Sequence, residues 1–174
     1  GSAVREGLLA ATQPIAVFFD ADLSTPIEEL PKIVDPIAND DADVAFGSRA
    51  LDRKLIGHRQ PWRREQGGRV FNLMVRLATG LPFWDTQCGF KAFRMDRARP
   101  IIERARIDGF GFDVELLLLC QRAHLRLREI PVRWNHHDGS KVDFMNDSVR
   151  MLREVIVLRG KVNAGEYDAS PSRA

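Results

Sequence analysis

The 174-residue sequence predicts one α/β domain built around a mixed sheet, and three observations carry that expectation. Short apolar runs at Ile15–Phe19 and Asp43–Ser48 have the length and the branched or aromatic character of buried strands. Segments of helical period lie between and after them, the alternation that α/β domains show. Each run closes on charged residues, Asp20 and Asp22 after the first and Arg49 after the second, and strand ends are where such sheets place their sites.

Reading in order, Gly1 to Ala11 forms the second half of a helix, with Val4, Leu8 and Ala11 on one face and no start signal before it. After the strand at 15–19, Ile27, Leu30, Val34 and Ile37 recur at helical spacing, with Pro31 and Pro36 expected to distort or restart the helix. The strand over Asp43–Ser48 leads into a basic loop, Leu51 to Arg64, that has few packing residues. A helix from about Arg64 to Ala78 carries Val70, Phe71, Met74 and Leu77 as its apolar side and ends at Gly80. The Asp85–Arg94 segment is followed by a short helix near Asp96–Arg104, an apolar helix over Phe112–His124 and a strand over Leu127–Trp134. An amphipathic helix, Asp143 to about Leu158, sets Phe144, Val149, Met151, Leu152, Val155 and Ile156 against Arg150, Arg153 and Glu154. The domain is placed at 1–160, and 161–174 reads as a polar, disordered tail. Only three strands are clear, few for a nucleotide-binding sheet, which points to missing N-terminal strands.

Composition narrows the function classes. Hydrophobic content of 44% with 29% charged residues fits a water-soluble globular domain. A net charge of +2 is too small to argue for nucleic acid as a partner. Cys88 and Cys120 lack metal-type spacing or a paired framework and read as reduced, partly buried side chains, which favours the cytosol or the cytoplasmic side of a membrane. No apolar run approaches the roughly 20 residues that span a bilayer. The amphipathic last helix can either pack on its own domain, the favoured reading, or rest on a membrane surface.

Two carboxylates one residue apart at a strand end can hold a divalent cation, Mg2+ or Mn2+, against a diphosphate. The same stretch also reads as a helix start: Ser24 or Thr25 as cap, Pro26 in the first turn, Glu28 and Glu29 at the positive end, with Asp22 a turn residue. Arg49, Arg59, Arg63, Arg64 and Arg69 are either a phosphate-gripping set or a solvated basic face. Asp85-Thr86-Gln87-Cys88-Gly89-Phe90-Lys91 can present Asp85 and Gln87 to sugar hydroxyls or form a self-satisfied turn.

Asp20-Ala21-Asp22, Gly47-Ser48-Arg49, the run Asp85 to Lys91, Phe112-Asp113-Val114-Glu115-Leu116, and Trp134 followed by Gly139-Ser140-Lys141 occur in that order. Together they resemble the family 2 glycosyltransferases of GT-A fold, in particular the dolichyl-phosphate glucosyltransferases beside the dolichyl-phosphate mannosyltransferases, from about Gly1 to Leu158. The resemblance implies a mixed, mostly parallel central sheet. It implies Asp20 and Asp22 at the metal and diphosphate, with Asp22 the direct ligand, and Arg49 with Arg63 or Arg64 at the acceptor phosphate. It implies that Asp85, Gln87, Asp113 and Glu115 line the sugar and acceptor side, and that Ser140 and Lys141 sit on a loop over the diphosphate. The family's first strand and nucleotide-base pocket are absent, and Trp134-x4-Gly139-Ser140-Lys141 replaces the Arg-x-x-Gly-x-Ser-Lys of the mannosyltransferases, which favours a glucosyl donor.

The implied reaction is metal-dependent, inverting transfer of a hexose, glucose from UDP-glucose ahead of mannose from GDP-mannose, to a polyprenyl or dolichyl phosphate at the cytoplasmic face of a membrane. An acceptor phosphate is already anionic and needs no strong base. Two alternatives stand beside it: transfer to a glycan or other hydroxyl with Asp113 as base, and a noncatalytic fragment that keeps only the acceptor side.

Overall fold

The computed structural model describes residues 1–57, 62–135 and 144–168. Four strands, β1 (Ile15–Phe19), β2 (Val44–Ser48), β3 (Phe90–Arg94) and β4 (Leu127–Pro131), form one sheet in the order β1-β3-β2-β4. β3 pairs antiparallel with β1 and with β2, and β2 pairs parallel with β4. Three strands therefore run one way and the reversed β3 sits between two of them, so the sheet is mixed as expected, but two of its three pairings are antiparallel rather than most being parallel. This inversion decides where the site lies. With Phe19 opposite Phe90, the C-terminal ends of β1, β2 and β4 and the N-terminal end of β3 meet at one sheet edge.

β3 lies in the Asp85–Arg94 segment, for which the sequence pattern predicts no strand. Phe90-Lys91-Ala92-Phe93 alternates properly, but it carries a lysine at a position with no solvent exposure, which breaks the apolar pattern.

Alternation distributes the core onto two faces. Val44, Phe46 and Phe93 face a large cluster with α4 (Met95–Ile102), α5 (Phe112–Arg122), α6 (Phe144–Asn163) and the buried side of α3 (Trp62–Thr79), while Ala45, Phe90 and Ala92 face Ile33 and Ile37 of α2 (Leu30–Ala38). α1 (Ser2–Ala10) joins the larger cluster through Leu8. The prolines act as expected: a 3-10 turn over Ile27–Glu29 precedes α2, which contains Pro36. Ile33 rather than Ile27 completes the buried stripe, and Ile27 is exposed.

Two expectations are corrected. On α3, Phe71 and Val75 face the core, whereas Val70, Met74 and Leu77 face outward with Leu73. At the C-terminus α6 runs through Asn163 and the chain then turns, so that Tyr167 is buried and donates to Glu115 Oε1 at 2.6 Å. The tail placed at 161–174 is thus folded as far as residue 168, and 169–174 lie outside the described residues. α6 buries Met151, Val155, Leu158 and Val162, a helical stripe set against its own domain. No helix among the described residues is long and apolar enough to cross a membrane.

Candidate active site

The site grows from the sheet edge just defined. Asp20 follows β1 directly, and its backbone N–H donates to the Gly89 carbonyl at 2.8 Å, which extends the β1–β3 pairing by one bond. A Cβ at position 89 would collide with the Asp20 carboxylate; glycine there lets the carboxylate lie against the β3 backbone. Asp22 Oδ1 accepts from the Ser24 N–H at 2.9 Å, so Asp22 does serve as a turn residue while remaining exposed. Both sequence readings of Asp22 are thus compatible with one geometry.

Behind these acids lies a buried ionic layer. Lys91 has no solvent exposure, and its Nζ donates to Asp113 Oδ1 at 2.6 Å and to the Cys88 carbonyl at 2.6 Å. Strand alternation points Lys91 to the face where the first turn of α5 delivers Asp113, and the Phe18 ring lies 5.4 Å from the ammonium. Burial raises the Asp113 carboxyl above the ordinary range and the Lys91 charge opposes that rise. Asp20 is also raised, by partial burial first and then by repulsion from Asp22 and Asp113.

Arg49 and Asp85 form the second pair. Asp85, 1% exposed, receives Arg49 Nε at 2.7 Å, Nη2 at 2.9 Å and the Arg49 backbone N–H at 3.0 Å. Burial works against the Asp85 carboxylate, but the guanidinium outweighs it and holds the carboxyl below its ordinary value. Glu129 of β4 secures this loop from beneath: its carboxylate accepts from Ser48 Oγ at 2.7 Å, from Asp85 N at 2.8 Å and from Trp84 N at 3.0 Å. Trp134 lies under the Arg49 guanidinium at 5.6 Å.

The structure therefore brings Asp20, Asp22, Arg49, Asp85, Lys91 and Asp113 to one edge. Asp20, Asp85 and Asp113 face two cations, Arg49 and Lys91, and Asp22 adds a further carboxylate. Arg49 and Asp85 are engaged with each other, which changes what each offers: Asp85 orients the arginine, and the arginine keeps part of its fork for another anion. Gln87 turns toward α6, its Nε2 2.8 Å from Met151 Sδ. Arg63 and Arg64 fall in the first turn of α3, while Ser140 and Lys141 lie outside the described residues.

Glu115 is the expected site residue that the structure places elsewhere. Two residues along a helix are about 200° apart, so Glu115 points away from Asp113. It is fully buried, and its oxygens accept from Arg106 N and Ile107 N, both at 2.9 Å, as well as from Tyr167. It staples the α4–α5 loop and the C-terminal turn. Sequence reasoning conversely gave no role to Lys91, Ser48 or Glu129. The available signal was a lysine inside an otherwise apolar strand; Glu129 gave none, since its partners are far away in sequence.

A divalent cation fits the donor set at the front of the site. Carboxylate oxygens from Asp20 and Asp22 stand at the sheet edge, and burial first, then repulsion from Asp22 and Asp113, raises Asp20, a charge penalty that a positive ion would relieve. Among the described residues no group of three or more His, Cys, Asp or Glu side chains gathers as a metal cage.

The sequence pattern described as Glycosyl transferase family 2 matches residues 1–100. Among curated proteins the chain is similar to the dolichyl-phosphate beta-glucosyltransferases of Dictyostelium discoideum (31% identity, 91% of this chain and 50% of the relative), Drosophila melanogaster (34%, 91% and 50%) and Saccharomyces cerevisiae (30%, 96% and 53%). It spans about half the length of these relatives. Among solved structures it resembles glucosyl-3-phosphoglycerate synthase from Mycobacterium tuberculosis in complex with phosphoglyceric acid, with a TM-score of 0.64 at 17% identity over 91% of this chain and 54% of that one. The same enzyme in complex with uridine-diphosphate gives 0.60 at 18% identity over the same shares. These likenesses place the domain in the GT-A fold.

Proposed function

The chain belongs to glycosyl transferase family 2, and from that premise we propose that the complete protein transfers a hexose, glucose from UDP-glucose, to a polyprenyl or dolichyl phosphate with inversion. The observation that carries this reading is the Lys91–Asp113 pair. The acid best placed to act as a base is buried and held by an ammonium at 2.6 Å, so the site favours an acceptor that arrives already ionised. The names of the curated relatives point to the same acceptor class.

In this reading the residues position and polarise. Arg49, fixed by Asp85 and Trp134, presents its free guanidinium edge to the acceptor phosphate, with Arg63 or Arg64 assisting. Alignment of that oxygen behind the anomeric carbon and electrostatic stabilisation of the departing diphosphate together supply the rate enhancement. Asp20 and Asp22 would hold Mg2+ or Mn2+, which supplies charge neutralisation at a departing diphosphate. Gln87 is assigned to the sugar, and Ser140 and Lys141 to the diphosphate. The protein acts peripherally at the cytoplasmic face of a membrane, where its acceptor lies.

Transfer to a hydroxyl acceptor is the second reading, and the upward shift of Asp113 is the observation in its favour. Kinetics of the complete protein separate the two. Asp22→Ala abolishes transfer with the fold retained, and Asp113→Asn lowers it only through stability and positioning. A chemical step that collapses in Asp113→Asn with undiminished acceptor binding overturns the lipid-phosphate assignment.

A further inference from the structure

We propose that the outward face of α3 is a contact surface for an anionic lipid bilayer. Val70, Leu73, Met74 and Leu77 are 57%, 51%, 37% and 73% exposed, and their spacing of three, one and three residues puts them on one side of the helix. The core needs none of them, because Phe71 and Val75 already fill the inward side. The apolar line continues into an aromatic one: Arg76 stacks over the Trp84 ring at 3.8 Å, and Trp84 is itself 54% exposed.

Charge decides between possible occupants. From Glu65 to Trp84 the sequence holds Arg69 and Arg76 and a single acid, Glu65 at its start. Arg159 of α6 adds a third cation at the same end, where it donates to the Ala78 and Leu77 carbonyls that close α3. Exposed aliphatic side chains rimmed by arginines with an interfacial tryptophan match the headgroup boundary of an anionic membrane, where apolar groups enter and guanidinium groups stay with phosphates. The surface also borders the site, because Trp84 precedes the Asp85 that holds Arg49. This location deepens the lipid-phosphate reading and rests on it only for its biological meaning; bilayer contact itself is tested without any acceptor.

The test is co-sedimentation of this chain with phosphatidylcholine vesicles with and without phosphatidylglycerol, none containing polyprenyl phosphate. The wild type binds the anionic vesicles. Leu73→Asp and Leu77→Asp each bind about tenfold more weakly, with unchanged thermal unfolding, and Arg69→Ala loses about fivefold on anionic vesicles only. Ile27→Asp, at a comparably exposed position of the 3-10 turn that leads into α2, binds as the wild type does. Absence of binding, equal binding to neutral vesicles, or an equal loss in Ile27→Asp overturns the proposal. So does sedimentation equilibrium showing a wild-type dimer that Leu77→Asp dissolves, since the face would then serve a second copy. Intact vesicle binding by a complete protein that transfers no sugar to a lipid phosphate would refute the functional reading and leave the surface standing.

Discussion

Replacing Lys91 by methionine removes the charge at the centre of the site and nearly keeps its volume. The ammonium has no solvent exposure, and its two 2.6 Å hydrogen bonds, to Asp113 Oδ1 and the Cys88 carbonyl, are lost together. Removing one partner of a buried ion pair costs about 3–5 kcal/mol, because the other charge stays behind without compensation. The stranded group here can neutralise itself. Burial already raises Asp113, and Lys91 is the main influence holding it down, so its pKa climbs further in the variant. A carboxyl whose folded pKa lies above its unfolded value stabilises the fold most below the unfolded pKa and loses that contribution as pH rises through the folded one. The deficit of Lys91→Met relative to wild type is therefore full at neutral pH and shrinks as pH falls toward the carboxyl range. Urea unfolding at several pH values reads this directly, and Lys91→Met/Asp113→Asn recovers a large part of the neutral-pH loss. A cost below about 1 kcal/mol at neutral pH, or one independent of pH, would refute the buried-pair account.

Three further outcomes follow from named contacts. Tyr167→Phe deletes the hydroxyl bonded to buried Glu115 and costs about 1 kcal/mol in denaturant unfolding; an unchanged midpoint would remove the C-terminal turn from the fold's support. Gly89→Ala sets a methyl against the Asp20 carboxylate, so activity of the complete protein falls more than stability does; equal activity would mean that Asp20 does not need its observed position. Asp43, buried and bonded to Arg126, has its pKa lowered chiefly by those hydrogen bonds. Its contribution is present above the unfolded carboxyl pKa and is lost as pH falls through the folded one, so Asp43→Asn is less stable than wild type at neutral pH and shows a flatter acid limb, which acid titration of unfolding checks.

What the sequence made legible is local. The strand ends at Asp20 and Arg49, the helix over Phe112 and the double-proline helix start all follow from neighbours a few residues apart. β3 escaped because a buried lysine interrupts its apolar pattern, and only the tertiary partner Asp113 makes that lysine tolerable. Arg49 looked like a free phosphate binder because Asp85, 36 residues away, is not visible as its partner from sequence spacing. Glu115 looked like part of the site because it lies two residues from the motif residue Asp113 in the chain, while helix geometry turns it to the opposite side. The apolar residues of α3 were read as one face when the fold uses two of its sides differently.

The central claim is the reaction, and one assay tests it most directly: labelled hexose transfer from UDP-glucose, with GDP-mannose in parallel, to a polyprenyl phosphate by the complete protein, with and without a chelator. The account predicts chelator-sensitive transfer from UDP-glucose that Asp22→Ala eliminates. Transfer to a hydroxyl acceptor in its place, or undiminished transfer by Asp22→Ala, contradicts it.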